Sequence, residues 1–262
     1  MKMKWRAVAI NTFRETIRDK ILYNLLIFAL LLIGGSILLA TLSIGEQTKI
    51  IMDFGLASIN LFGILIAIFL GVGLVSKEIE KRTVYTVLSK PIGRTEFLLG
   101  KYSGLLLTLL VNTVIMLAGL YLTLMFNQFR WGLPVLDVEP RLIQAVFMTY
   151  LQLSLITAVA LLFSTFTTTT LAAIFTLSIY VIGHISADLL AMADKLPAKS
   201  TAILVKAIYY ILPNLSNFDI KGLVVHKVPI EPTYFFLTTS YALLYITLLI
   251  ATAAFIFKRR DF

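Results

Sequence analysis

The chain has 262 residues, 59% of them hydrophobic and only 14% charged, with a mean hydropathy of +0.91. Soluble domains are about 25% charged, so the polar surface is too small to solubilise this much apolar material, and several membrane spans are expected. The net charge of +9 suits the cytoplasmic face of a membrane protein and its anionic leaflet. No basic face interleaved with stacking aromatics stands outside the apolar runs, which argues against nucleic acid as a partner. The absence of cysteine excludes disulfides, thiolate metal sites and cysteine nucleophiles, and leaves the redox compartment open.

In residues 1–20, Trp5, Val8, Ala9, Phe13, Ile17 and Ile21 recur at helical spacing, with Lys4, Asn11, Arg14, Glu15 and Arg18 on other faces. The acids Glu15 and Asp19 speak against a cleavable signal. The pattern predicts an amphipathic helix in the cytoplasmic interface. Six apolar runs follow, at 21–42, 54–75, 98–126, 142–163, 170–190 and 235–257, each near or above the ~20 residues a membrane helix needs. The third is long enough to tilt or project beyond a bilayer. The fifth is interrupted by His184 and Asp188, and there the count can fail by one. "GILIAIFLGVG" at 63–73 supplies small residues for close helix packing, and "TFTTTT" at 165–170 reads as a tight turn. The expected fold is an all-α integral membrane protein, one domain over 1–262. It has six transmembrane helices, an interfacial helix at 1–20, a cytoplasmic loop at 76–97 and an extracytoplasmic segment at 188–234. Within that last segment, the apolar positions Ile203, Leu204, Ala207, Ile208 and Ile211 predict a helix that ends at Pro213 and does not span.

Orientation follows from the basic residues. The N-terminal segment, the 76–101 segment and the C-terminus together carry 15 of them, and the opposite face carries 8. Both termini and the central loop are therefore expected on the cytoplasmic side.

That loop, "SKEIEKRTVYTVLSKPIGRTEF" at 76–97, is unusually charged for so apolar a chain. Ser76 is a helix N-cap candidate, and Glu78 and Glu80 suit the positive start of a helix. Ile79, Thr83 and Val87 share a face with Val84 and Leu88 beside them, while Glu78, Arg82, Tyr85 and Ser89 lie on another. Pro91 stops the helix. A positive-inside loop needs neither the acids nor a Val/Leu/Tyr surface, so the helix reads as a dock for a cytoplasmic protein. Val84, Val87 and Leu88 supply apolar contacts and Glu78, Glu80 and Arg82 polar ones, with Tyr85 a further coupling residue on the second face.

"EIEKRTVYTVLSKPIGRTEFLLGK" resembles the cytoplasmic loop of ABC-2-type transporter permeases. There an acid precedes a Thr-rich short helix, then Leu-Ser-x-Pro, then Arg and Gly-Lys. The corresponding residues are Glu78 and Glu80, Thr83 and Thr86, Leu88 to Pro91, Arg94, and Gly100-Lys101. Arg82-Thr83 departs from the family's usual Gly-Thr. "YYILPNLSNFDIKG" at 209–222 and "FKRRDF" at 257–262 are similar to the family's last extracytoplasmic segment and its basic tail. The resemblance covers essentially the whole chain and is nearest the permease group associated with multicopper-enzyme maturation.

The resemblance implies a bacterial inner-membrane permease subunit, an exporter more than an importer, pairing as a homodimer. It implies a separate ABC ATPase subunit that holds ATP and Mg, docked on the loop as a coupling helix. Membrane lipids and a periplasmic accessory protein complete the expected partners, and no cofactor is expected in this chain. "GRTEFLLGKY" at 93–102 is not a P-loop: six residues separate Gly93 from Gly100 where four are required, and Tyr102 replaces the magnesium-binding Ser/Thr. The chain is thus not expected to hydrolyse ATP.

Few other residues carry chemistry. His184 and Asp188 stand four apart on the fifth run, as one face of a helix. Intramembrane ionisable groups are functional candidates, but one histidine and one carboxylate imply no metal. With Asn112 and Gln152 they are candidates for a cargo route or for a structural polar network, and Asn60 for an interhelical hydrogen bond. An ATP-independent carrier would need acids deep in its spans, and none is clearly central. A structural scaffold subunit is the other alternative. A neighbouring reading frame with Walker motifs would separate these alternatives from an ATP-driven permease.

Overall fold

A computed structural model describes residues 4–43, 45–73, 93–132, 139–186, 188 and 199–259. Helix α1 is Lys4–Ile17 and α2 is Lys20–Ala40. They are separated where the Asp19 carboxylate accepts the Ile21 N–H at 2.9 Å and caps α2. Then come α3 (Gln47–Val72), α4 (Arg94–Arg130), α5 (Leu142–Ser164), α6 (Thr169–His184) and α7 (Lys199–Ile211). A 3₁₀ turn at Ser216–Phe218, the short α8 (Lys221–Val225) and α9 (Pro232–Arg259) complete the described elements.

Five of these helices, α2, α3, α4, α5 and α9, are long and apolar enough to cross a membrane. The fifth expected span is present as α6, but it is only 16 residues long, about 24 Å against a hydrocarbon core of ~30 Å. It stops at His184 because the chain returns over its end. The Leu215 N–H donates to the Gly183 carbonyl at 2.9 Å, and a Cβ at Gly183 would lie 2.6 Å from the Pro213 carbonyl oxygen. The expected turn between the fourth and fifth runs lies at Thr165–Thr168, between α5 and α6.

The core centres on α3 and α5. Every residue from Leu151 to Leu161 is buried, as befits a helix apolar all round and enclosed by others. Helix α3 packs on α2, α4, α5 and α6, and α5 also meets α9 and α4. The expected close packing of the 63–73 stretch is visible: a Cβ at Gly63 would meet Leu153 at 2.6 Å, and one at Gly71 would meet Ala160 at 3.0 Å. Helix α4 has 37 residues, about 55 Å, so about 17 residues exceed a ~20-residue crossing. Its first turns carry α1. Residues 213–225 fold back over the opposite end of the bundle, burying Leu215, Phe218, Ile220, Val224 and Val225.

Candidate functional site

The expected docking residues Glu78, Glu80, Arg82, Val84, Tyr85, Val87 and Leu88 lie outside the described residues. The frame that carries them is described. The loop re-enters the bundle at Arg94, the first residue of α4. The Arg94 Nη1 donates to the carbonyls of Phe257 at 3.1 Å and Lys258 at 3.0 Å. A guanidinium there satisfies carbonyls left open at the C-terminal end of α9 and complements its dipole. One turn on, Phe97 stacks on Phe257 with ring centres 6.1 Å apart. The C-terminal end of α9 and the start of α4 are thus held together.

The same part of α4 seats α1. A Cβ at Gly100 would lie 2.5 Å from the Val8 Cβ and 2.8 Å from the Trp5 carbonyl oxygen, and one at Gly104 would lie 2.5 Å from the Ala9 carbonyl oxygen. Four residues further, the Thr108 and Thr16 hydroxyls are 2.6 Å apart. Gly100, Gly104 and Thr108 thus form one face of α4, and α1 runs along it in the same direction over three turns. Small residues at four-residue spacing allow this close approach. Lys101, only 5% exposed, has its Nζ 3.6 Å from the Glu15 carboxylate and 5.8 Å from the Phe97 ring centre. Arg94, Gly100 and Lys101 belong to the motif noted in the sequence. Gly104 and Thr108 do not, although their spacing was there to be read.

At the other end of the bundle a polar cluster joins four segments. The His184 Nδ1 lies 3.4 Å from the Gln152 Nε2 on α5, and its Nε2 lies 3.7 Å from the Asp219 Oδ2. An amide NH₂ on one side and a carboxylate on the other favour the tautomer protonated on Nε2. Tyr180, one turn before His184, accepts a hydrogen bond from the Asn60 Nδ2 on α3 at 3.3 Å. The Lys221 Nζ is 3.5 Å from the Asp219 Oδ1. The neighbouring imidazole of His184 holds the Asp219 carboxyl below its usual range, with the Lys221 ammonium adding to this against the opposing effect of burial.

The cluster corrects part of the sequence reading. Gln152 and His184 do come together, and Asn60 does make an interhelical bond. Asp188 does not join them. Helix α6 ends at His184, so the four-residue spacing is not a helical face, and Asp188 is exposed. The histidine's acidic neighbour is Asp219, brought in by the returning segment. Asn112 is also elsewhere: its Nδ2 donates to the Thr108 carbonyl at 2.8 Å, one turn back on α4. Tyr180 went unnoticed in the sequence, and Asp219 and Lys221, although inside the quoted 209–222 segment, were not connected with His184; the Asp-Ile-Lys step was the signal available there. Among the described residues no group of three His, Asp or Glu side chains could hold a metal ion. The cluster is suited to pinning the returning segment to α3, α5 and α6.

An all-α bundle with five membrane-length helices and a chain that re-enters it through a clasped α4 defines a multi-pass membrane protein. The chain belongs to the ABC-2 family: the model of the ABC-2 family transporter protein matches residues 6–262. A search of curated proteins gives no match. Membership makes this chain a permease subunit of an ABC transporter, a membrane subunit without an ATPase site of its own, whose family implies an ABC ATPase subunit as partner.

Proposed function

We propose that this permease couples ATP hydrolysis by a separate ATPase subunit to export of a cargo, acting as a homodimer in a bacterial inner membrane with both termini cytoplasmic. The segment 76–97 is the dock for the ATPase, which holds the ATP and Mg, and its helix moves with closure of the nucleotide-binding subunits. The observation that carries this reading is the clasp at the start of α4. Whatever displaces the segment pulls first on Arg94, which grips the end of α9, and on a helix face that bears α1. One input therefore reaches three helices as a rigid body. At the far end, the Gln152–His184–Asp219 cluster holds the returning segment that the movement must open or carry along. Membrane lipids surround the assembly, and a periplasmic accessory protein would meet it on that far side.

Affinity purification of the tagged full-length chain from its own cells tests the proposal. It should recover an ATP-hydrolysing subunit with Walker motifs and a second, differently tagged copy of this chain. Recovery of the chain with no ATPase would favour a carrier or scaffold, and recovery of a different permease would replace the homodimer by a heterodimer.

A further inference from the structure

The sequence predicts that α1 rests on the membrane by its apolar face, but the structure gives that face to α4. Thr12 and Thr16 are buried, and Trp5, Val8 and Ala9 stand against Gly100 and Gly104. The face turned away from α4 carries Arg6, Ile10, Asn11, Arg14, Glu15 and Arg18, all exposed. Arg14 and Arg18 are four apart and so lie on one side of the helix. From Lys4 to Lys20 the chain has five bases and two acids, and both acids are engaged. Glu15 lies 3.6 Å from the Lys101 Nζ, and Asp19 accepts the Ile21 N–H at the start of α2. The outward face of α1 is therefore a positive patch.

Its depth follows from the way α1 and α2 succeed each other along α4. Thr16 on α1 meets Thr108, and Leu30 on α2 stands 2.7 Å from where a Cβ at Gly119 would be. The apolar run of α2 begins at Ile21. At a rise of about 1.5 Å per residue, Arg18 and Lys20 lie within about 5 Å of that start and Arg14 about 10 Å from it. The headgroup layer on each side of a bilayer core is roughly 5–8 Å deep, and arginine and lysine stems reach along it. Next to these cations, α2 exposes Ile21, Tyr23 and Ile27. A guanidinium pair matches a phosphate, which it can hold by paired hydrogen bonds, and the exposed start of α2 matches an acyl chain. A free phosphate would use only the arginines, and a docked cytoplasmic protein would not extend along a membrane span.

We propose that Arg14 and Arg18, with Lys20 beside them, bind the headgroup phosphate of an anionic phospholipid whose acyl chain lies along the first turns of α2. The proposal does not depend on the cargo, the direction of transport or the ATPase, so it stands or falls separately from the proposed function.

The chain has two tryptophans, so a reporter chain with Trp5→Phe, Trp131→Phe and Ile21→Trp emits from the proposed site alone. It is placed full-length in nanodiscs of phosphatidylcholine with graded fractions of phosphatidylglycerol, and the acyl chains of one lipid or the other are brominated so that only adjacent lipid quenches. The two quenching curves give the preference for phosphatidylglycerol at that position. A preference of about fivefold or more is expected, since each basic residue near anionic lipid is worth about fivefold, and it should fall as salt rises. Arg14→Gln/Arg18→Gln should bring it below about twofold, and Arg14→Lys/Arg18→Lys should keep most of it. Arg130→Gln, exposed at the far end of α4, should leave it unchanged. Equal quenching by the two lipids, or an undiminished preference in the glutamine pair, would overturn the proposal. Loss of a copurifying ATPase from that pair with the lipid preference intact would assign the face to a protein and overturn it as well. Should the glutamine pair not fold, a preference in the reporter chain that is insensitive to salt would do the same.

Discussion

Alanine at Gly100 and Gly104 should unseat α1 from α4 while leaving the rest of the bundle intact. The Cβ at Gly104 would stand 2.5 Å from a backbone oxygen of Ala9 and 2.7 Å from the Thr12 Cβ, where ordinary contact is 3.4–4 Å. Backbone cannot rotate away, so α1 must retreat by about 1 Å, enough to lose a quarter to a half of each van der Waals well along the seam. Overpacking costs about 1–3 kcal/mol per site, and a hydrogen bond between membrane helices such as Thr16–Thr108 about 0.6 kcal/mol. The two glycines share one seam and will not add fully, so about 2–4 kcal/mol is expected for the pair, roughly 30- to 1,000-fold in the seating equilibrium. The chain has no cysteine, which makes the assay clean. Cysteines in place of Thr16 and Thr108, whose hydroxyls are 2.6 Å apart, should cross-link rapidly in the parent and slowly in Gly100→Ala/Gly104→Ala. Gly35→Ala serves as control, because its Cβ would meet nothing within 4 Å, and it should cross-link like the parent. Equal cross-linking rates in the double variant and the parent would refute the seam.

Arg94→Ala should loosen the end of α9, which proteolysis or hydrogen exchange near Phe257 would detect as faster, with Arg94→Lys restoring only part because a lysine cannot span both carbonyls in one plane. Asp219→Asn should weaken the attachment of the returning segment. The folded Asp219 carboxyl titrates below its unfolded value near 3.8, so its stabilisation is complete above about pH 4 and is lost as pH falls through the lower, folded value. Parent and variant should therefore differ in thermal stability at pH 7, and the gap should narrow as pH falls below about 4 and close once pH is below the lower, folded value; a gap that stays unchanged through that fall would contradict the pairing. Cysteines in place of Lys90 and Lys221 should label from opposite sides of the membrane, and labelling of both from one side would overturn the orientation.

The hydropathy pattern located all five of the long helices, because ~20 apolar residues are a strong and local signal. It misplaced the start of α3 and both ends of α4. Helix α3 begins at Gln47, not near 54, since Lys49 and Asp53 extend the helix beyond the apolar run without breaking it. Helix α4 similarly gains Arg94 at its start and Asn127 to Arg130 at its end, and the extension at its start carries the clasp. The error at α6 has a different origin. Asp188 is close to His184 in sequence, and a helix through both would pair them. The helix stops because residues 213–215 press on Gly183, and the true neighbour, Asp219, is 35 positions away. Such a long-range partner leaves no mark in local spacing. The glycine seam did leave one, at Gly100 and Gly104, but its partner helix α1 carried only the signature of a membrane-surface helix.

The central claim is that the segment 76–97 docks the ATPase and drives α4. The most direct test is the pair Val84→Asp and Val87→Asp in the reconstituted complex, with retention of the ATPase and cargo-stimulated hydrolysis measured in one preparation. Removing a central apolar anchor from an interface costs ~2 kcal/mol or more, over tenfold in affinity. The account predicts an inserted, folded permease that has lost the ATPase or whose hydrolysis no longer responds to cargo. A folded double variant that retains the ATPase and its full cargo response would contradict it.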